Sequence, residues 1–251
     1  MAQQIPQIGQ YSLFLEETDS TNSALKLWLE RESLPEGAMV YTHYQTAGRG
    51  QENSQWESLP GQNLLLSILL YPSFLNIDEQ VWLNLCACLA VQKTVKELSG
   101  QATFIKWPND IFVDHHKIAG ILIENVLQGA KIKYSIVGVG LNLNQLQFSF
   151  PQASSVKNVS GLNQDLTEAR AVLSKHFTET YRMLKGKQWS YFWDTYHSNL
   201  YAKGQLALFE ANGKQFEGEV MGIDKKGRLH IYTNDEVWSF ANKEVKLIHL
   251  I

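Results

Sequence analysis

The chain has 251 residues, 44% hydrophobic and 19% charged, enough for one substantial core or for one large and one small domain. Its 22 basic and 25 acidic side chains leave a net charge of −3, which removes any global electrostatic case for nucleic acid or an anionic membrane and makes any work on phosphates local. Cys86 and Cys88 stand i, i+2 in an apolar helical stretch, on different faces and poorly placed to bond, which fits a reducing compartment. With no basic-then-apolar leader in MAQQIPQIGQ and no apolar run of membrane-spanning length, the expectation is a soluble cytoplasmic protein with no membrane partner.

In chain order, Tyr11 to Glu16 predicts a short strand that ends in Glu17-Thr18-Asp19-Ser20-Thr21-Asn22. Several of these side chains can cap the helix that follows, which places Leu25, Trp28 and Leu29 on one face. A helix start rich in hydroxyls and amides also gathers short donors and acceptors for a small polar ligand, and both readings stand at this point. A strand from Ala38 to Tyr44 leads into Gln45-Thr46-Ala47-Gly48-Arg49-Gly50-Gln51-Glu52-Asn53-Ser54-Gln55-Trp56. There, two glycines let backbone approach a ligand while a guanidinium grips phosphate or carboxylate, although a flexible loop reads the same way. Asn63 to Tyr71 is almost continuously apolar and reads as a strand covered on both faces. Asn76 with Glu79 forms a capping-box pattern for a long helix ending near Gly100, with Trp82, Leu85, Leu89 and Val95 as core positions.

The next stretch, Thr103 to Ile123, organises the chain. A strand to Trp107 is broken by Pro108-Asn109-Asp110, and a second run from Ile111 reverses at His115-His116 and continues through Lys117 into Ile118 to Ile123. Lys106 and Lys117 thereby come to strand ends beside a turn, as solvated edge cations or as site cations. Neighbouring residues in a hairpin turn diverge, so His115 and His116 do not make a metal site. Gly129-Ala130 turns the chain into Lys131 to Val137, followed by Gly138-Val139-Gly140-Leu141-Asn142. No third glycine opens a helix there, so this is no dinucleotide fingerprint; Gly-x-Gly in a strand means instead that something packs tightly against the backbone, with the Asn142 amide within reach.

Gln145 to Leu162 reads as loop, Asp165 with Glu168 starts a helix running towards Lys185, and Trp189 to Leu200 is a further aromatic-rich helix. From Gln205 to Ile251 short alternating strands are separated by turns at Asn212-Gly213, Asp224 to Gly227 and Asn234-Asp235, the texture of a small antiparallel barrel. The expected organisation is a mixed α/β domain over 1–200, a mixed sheet flanked by helices, and a small barrel of SH3 size over 201–251.

Five segments in this order, Asp19-Ser20-Thr21-Asn22, Gln45 to Gly50, Lys106-Trp107-Pro108-Asn109-Asp110, Lys117-Ile118-Ala119-Gly120-Ile121-Leu122 and Gly140-Leu141-Asn142, resemble the motifs of the biotin–protein ligases. The resemblance implies a catalytic domain like that of class II aminoacyl-tRNA synthetases, with an SH3-like barrel after it. It also implies two steps: biotin and ATP give biotinyl-5′-adenylate and pyrophosphate, and a lysine of a biotin carboxyl carrier domain then takes the biotin. Carried over position by position, Ser20, Thr21, Asn22 and Gln45 would hold the ureido end of biotin, with Gly48, Arg49, Gly50, Gln51 and Gly120 against the ligand. Lys117 would meet the carboxylate or the adenylate linkage, and Arg49 and Lys106 would grip the phosphates. Trp56, Asn109, Asp110 and Asn142 would lie on the nucleotide side, Asp110 touching Mg²⁺. The chemistry agrees, because carboxylate attack on an α-phosphate needs fixed cations and no covalent nucleophile, and no Ser-His-Asp or Cys-His set is evident.

The chain departs from that family after Gly50, where Gln51-Glu52-Asn53-Ser54 replaces the further arginines and glycine of many members and implies a weaker grip on the adenylate. About ten residues precede the first strand, too few for the helix-turn-helix of bacterial members that repress transcription, so a ligase without a DNA partner is expected. Exposed strand edges of this fold offer a homodimer interface. A lipoate ligase of related fold and a non-catalytic biotin or adenylate sensor are the competing readings; the usual Gly-Gly-Gly stretch of the former is absent.

Overall fold

The computed structural model describes residues 7–51 and 54–251; Glu52 and Asn53 of the altered loop lie outside the described residues. The chain lays down β1 (Ser12–Thr18), α1 (Thr21–Arg31), β2 (Met39–Gln45) and β3 (Asn63–Leu70). There follow α2 (Gln80–Ser99), β4 (Thr103–Lys106), β5 (Asp110–Val113), β6 (His116–Gln128) and β7 (Lys131–Asn142). These seven strands form one mixed sheet, in the order β1-β2-β3-β7-β6-β5-β4, in which only β1 and β2 run parallel. Three helices come next, α3 (Val156–Ser160), α4 (Leu166–Lys185) and α5 (Trp189–Ser198). A second, antiparallel sheet closes the chain, with β8 (Leu206–Ala211), β9 (Lys214–Ile223), β10 (Leu229–Thr233), β11 (Glu236–Phe240) and β12 (Lys246–Leu250) in the order β11-β10-β9-β8-β12.

Alternation along the strands assigns the two faces of the large sheet. Leu64, Leu66 and Ile68 of β3 join Val137, Val139 and Leu141 of β7 in the main core, under α2, which is buried almost throughout from Val81 to Val95. Residues of opposite parity, Leu69 and Ile136, meet Leu25 of α1 in a smaller cluster on the other face. That face is only partly covered by α1, and its remainder carries Ser67, Gly120, Gly138 and Gly140, where the registers set Gly138 beside Ser67 and Gly140 beside Gly120.

The starts of the helices follow their local chemistry. Asn76 and Glu79 form the expected reciprocal capping box ahead of α2, through a short 3₁₀ turn at Ile77–Glu79, and Gly100 closes the helix at φ +67°. Asp165 caps α4 by accepting from the amides of Thr167 and Glu168. Ser20 stands at the N-cap of α1 but makes no side-chain capping bond, so the polar start of this helix is turned to another use. The stretch expected as loop between Gln145 and Leu162 contains α3, five residues long and too short to show a helical period.

The main core runs without a break into the small sheet: Phe209, Val220, Ile223 and Ile231 share it with Tyr196 and Phe192 of α5. His197 bridges the two, donating from Nδ1 to the Trp193 carbonyl at 2.8 Å and accepting at Nε2 from the Ile223 amide at 3.1 Å. Among the described residues no helix is long and apolar enough to cross a membrane.

Candidate active site

A cavity of about 970 Å³ lies over the uncovered part of the large sheet, walled by the start of α1, the segment from Gln45 to Ser58 and the Pro108–Gly120 hairpin. Its floor is glycine. A methyl group on Gly140 would lie 2.7 Å from Cζ2 of Trp56, and one on Gly120 would lie 2.9 Å from Cζ3 of the same indole. A methyl on Gly138 would run into the Asn22 side chain. The tight packing expected at Gly-x-Gly is therefore found, with Trp56 and Asn22 as the groups that use the space. Trp56 is brought there by a short hairpin in which the Trp56 amide donates to the Gly48 carbonyl at 2.9 Å and the Gly50 amide to the Ser54 carbonyl at 2.6 Å. Any side chain at Gly48 would meet the Trp56 carbonyl, its Cβ standing 2.6 Å away.

One end of the cavity is a closed hydrogen-bond network. Gln45 Oε1 accepts from the Thr21 amide at 2.8 Å and from its hydroxyl at 3.1 Å. Ser67 Oγ lies 2.8 Å from Thr21 Oγ1 and 2.5 Å from Asn22 Oδ1, and Asn22 Nδ2 donates to Glu124 Oε2 at 2.6 Å. Ser20, Thr21 and Asn22 are buried. Glu124 also accepts from Arg49 Nη2 at 3.2 Å, so the network ends on the guanidinium and holds it over the cavity.

The other end is cationic. Lys117 Nζ pairs with Asp110 Oδ1 at 2.7 Å, both side chains about one quarter exposed, and stands 5.6 Å from the centre of the Trp56 ring. An ammonium has three donors, and the Asp110 contact leaves donors for a ligand. Asn109 is buried and its amide nitrogen is engaged by the Ile121 carbonyl, so it ties the turn to β6. Asn142 donates to the Ser154 carbonyl at 2.8 Å, while among the described residues its buried Oδ1 has no hydrogen-bond partner, and neither has the buried Trp56 indole nitrogen. Two orphaned polar atoms in one cavity wall are what a bound polar ligand would satisfy.

Lys106 does not line this cavity. It lies in a neighbouring one of about 680 Å³ between β4, β5 and the small sheet, its ammonium 4.9 Å from the centre of the Phe112 ring. Burial pushes its pKa below the ordinary lysine range, Asp110 opposes that shift, and the charges of Lys117 and Lys246 add to it. The two cavities share Pro108, Asp110, Lys117, Phe150, Asn242 and Lys243, so they adjoin at the Lys117–Asp110 pair, with Arg49 lining the first and Lys106 the second. Gln51 is held from the small sheet: Asn242 Nδ2 donates to its Oε1 at 2.7 Å and Lys243 Nζ to its carbonyl at 3.3 Å.

Among the described residues no group of three or more His, Cys, Asp or Glu side chains could hold a metal. Asp110 is one carboxylate, already paired with Lys117, which does not fit a protein-built Mg²⁺ cage.

The sequence reading did not single out Ser67, Glu124, Asn242 and Lys243. A lone hydroxyl in the apolar run NLLLSILL and a lone carboxylate in a strand facing Gly-x-Gly were available signals for the first two. The last two belong to a turn of the distant small sheet, and nothing local marks them.

Three comparisons bear on this arrangement. Residues 14–142 match the family model described as Biotin/lipoate A/B protein ligase family. The bifunctional ligase/repressor BirA of Bacillus subtilis is 30% identical over 252 residues, covering 96% of this chain and 75% of that protein, and a biotin–[acetyl-CoA-carboxylase] ligase of Paracoccus denitrificans is 36% identical over 51% of this chain and 53% of its own length. Among solved structures, the biotin protein ligase from Aquifex aeolicus in complex with biotin and ATP superposes with a TM-score of 0.78 at 26% identity, covering 96% of this chain and 99% of that one. A glycine-floored cavity between a polar network and a pair of cations, on a sheet shared with these proteins, thus marks the chain as a ligase belonging to the biotin/lipoate A/B protein ligase family.

Proposed function

We propose that the chain activates biotin with ATP to biotinyl-5′-adenylate and pyrophosphate and passes the biotin to a lysine of a biotin carboxyl carrier domain. The observation that carries this reading is that one cavity holds the Lys117–Asp110 pair and the network of Thr21, Asn22, Gln45 and Ser67, with Arg49 tied to that network through Glu124. A ureido ring, with donors and acceptors on one flat group, suits the network end, where Gly138 lets the Asn22 amide lie close against the sheet while Gly120 and Gly140 seat the Trp56 indole beside it. The acid chain then points towards Lys117.

In the first step a biotin carboxylate oxygen attacks the α-phosphorus and the bond to the β-phosphate oxygen breaks, releasing pyrophosphate. Both reactants are anions, so Lys117 on the carboxylate and Arg49 on the α-phosphoryl oxygens offset the repulsion and the charge that builds in the transition state. Glu124 and Asp110 hold those two cations in place before substrate arrives. Trp56, Asn142 and Asp110 line the nucleotide side, Asn109 fixing the turn beneath them; Gly48, Gly50 and Gln51 shape the covering loop; Lys106 meets the phosphates beyond Lys117. Mg²⁺ enters with the nucleotide as part of that substrate. In the second step the carrier lysine's neutral amine attacks the acyl carbon of the mixed anhydride, AMP leaves, and an amide forms.

The test is pyrophosphate release from ATP with biotin or with lipoate, followed by mass spectrometry of a carrier domain. Release with biotin and a mass gain on one carrier lysine are expected. Release with lipoate alone would move the assignment to the other branch of the family, and no release with either would overturn it.

A further inference from the structure

We propose that Glu124 is a positioning residue that makes Arg49 answer to occupancy of the network end: one carboxylate oxygen serves Asn22 and Arg49 together, so that seating the substrate's ring beside Asn22 sets the guanidinium for the phosphoryl group. The proposal rests on the ligase reading given above and adds to it a residue that acts through Arg49, together with a reason for recognition of the ring to appear in turnover.

Both bonds fall on the same atom. Glu124 Oε2 accepts from Asn22 Nδ2 at 2.6 Å and from Arg49 Nη2 at 3.2 Å. Asn22 is the fixed member of the three: it is buried, its Oδ1 lies 2.5 Å from Ser67 Oγ, and its side chain fills the space that a Cβ on Gly138 would take. Glu124 pairs with Ile136 across β6 and β7 and stands four residues from Gly120, on the same face of the sheet. Arg49 is the far-reaching member, and its guanidinium makes no other ion pair among the described residues. Asn22 and Arg49 line the large cavity and Glu124 does not, so a ligand meets the two donors and Glu124 acts only through them.

The Arg49 and Glu124 side chains are 45% and 41% exposed. Water screens so open a pair, which holds a long side chain only weakly. A ring seated against Asn22 displaces water from the cavity side of Arg49, and the same two charges then attract at a lower effective dielectric, where the interaction is several times stronger. Only one of the five guanidinium N–H groups is engaged by Glu124, so others remain for phosphoryl oxygens. The entropy of ordering Arg49 is thereby lost when the ring binds and not again when the nucleotide does; by linkage, the nucleotide tightens the ring to the same degree. A carboxylic acid without the ring leaves the pair wet and Arg49 unset.

The experiment uses the full chain with Glu124→Gln, which keeps an oxygen for Asn22 and removes the charge from Arg49, and with Glu124→Asp, which keeps the charge. Binding of α,β-methylene ATP, whose α–β bridge cannot be cleaved, is measured by calorimetry with and without saturating biotin, and kcat and the biotin KM are read from pyrophosphate release. We expect biotin to tighten the analogue by roughly five- to tenfold in the wild type, at the low end of the usual coupling between sites. In Glu124→Gln that factor should fall below about twofold and kcat should drop roughly tenfold, with biotin KM within about threefold, and aspartate should restore part of both. Coupling that survives in Glu124→Gln would overturn the proposal while leaving the ligase reading intact. So would wild-type protein that releases pyrophosphate without coupling, or a glutamine variant whose biotin KM rises as far as its kcat falls, since that is a broken network. Wild-type protein that releases no pyrophosphate with biotin would sink the ligase reading, and this proposal with it.

Discussion

The two ends of the large cavity are built on opposite principles. At the α1 end, Thr21, Asn22, Gln45, Ser67 and Glu124 satisfy one another, so the shape exists before any ligand enters. At the β5–β6 end, the Lys117 ammonium keeps donors beyond its bond to Asp110, and among the described residues Asn142 Oδ1 and the Trp56 indole nitrogen have no partner. A closed network favours recognition of one fixed group, whereas an unfinished one strengthens when charge arrives. Damage at the two ends should therefore look different.

The largest effect is expected at the unfinished end. Lys117→Ala should lower kcat/KM for pyrophosphate release by on the order of 10²-fold, about the cost of one electrostatic stabiliser, with an unchanged melting profile. Full activity would remove Lys117 from the chemistry. Gly140→Val comes next: its Cβ meets the Trp56 indole, so biotin-dependent turnover should fall by roughly tenfold or more while a Trp56→Ala background recovers part of it. Failure of that rescue would mean that the floor does not act through Trp56.

At the closed end, Thr21→Val leaves Gln45 and Ser67 facing an apolar group, and urea titration should show a loss of about 1–3 kcal/mol, together with weaker biotin binding. Unchanged stability would show that the network is not coupled. The pH dependence separates the neighbouring cavity. Burial lowers the Lys106 pKa, so its positive charge is present below the folded pKa and is lost as pH rises through it, sooner than for an exposed lysine. kcat/KM should fall on the alkaline side before the ordinary lysine range, and Lys106→Arg should move that limb upward. The smallest effect is expected for Gln51→Arg, which adds a cation to the loop but gives up the Asn242 contact; release of biotinyl-adenylate should slow a few-fold, and an unchanged rate would remove position 51 from ligand contact.

Sequence patterns reach the two ends unequally. The strand periods, the capping box at Asn76 and the turn at Pro108 are local signals, and the structure carries each of them. Gly-x-Gly announced a close approach, but not that Trp56 and Asn22 are what approach, because those pairings depend on the fold of a loop some 80 residues away and on the start of α1, farther still along the chain. The polar start of α1 read equally well as a cap, and only the tertiary contacts of Thr21 and Asn22 to Gln45, Ser67 and Glu124 show its other use. Lys106 sits at the strand end where the turn residues put it, yet that it lines the neighbouring cavity beside residues of the second sheet is a tertiary fact that no local pattern near Lys106 reports.

The uninterrupted core described above, with Phe209 and Ile231 of the second sheet against Tyr196 and Phe192 of α5, has a bearing on how the molecule comes apart. Modules that share their interior cannot melt in turn, so heating should give one calorimetric peak whose van't Hoff and calorimetric enthalpies agree. Cutting the chain near residue 204 would then yield a fragment with an open oily flank, prone to clumping, in place of a trimmed enzyme.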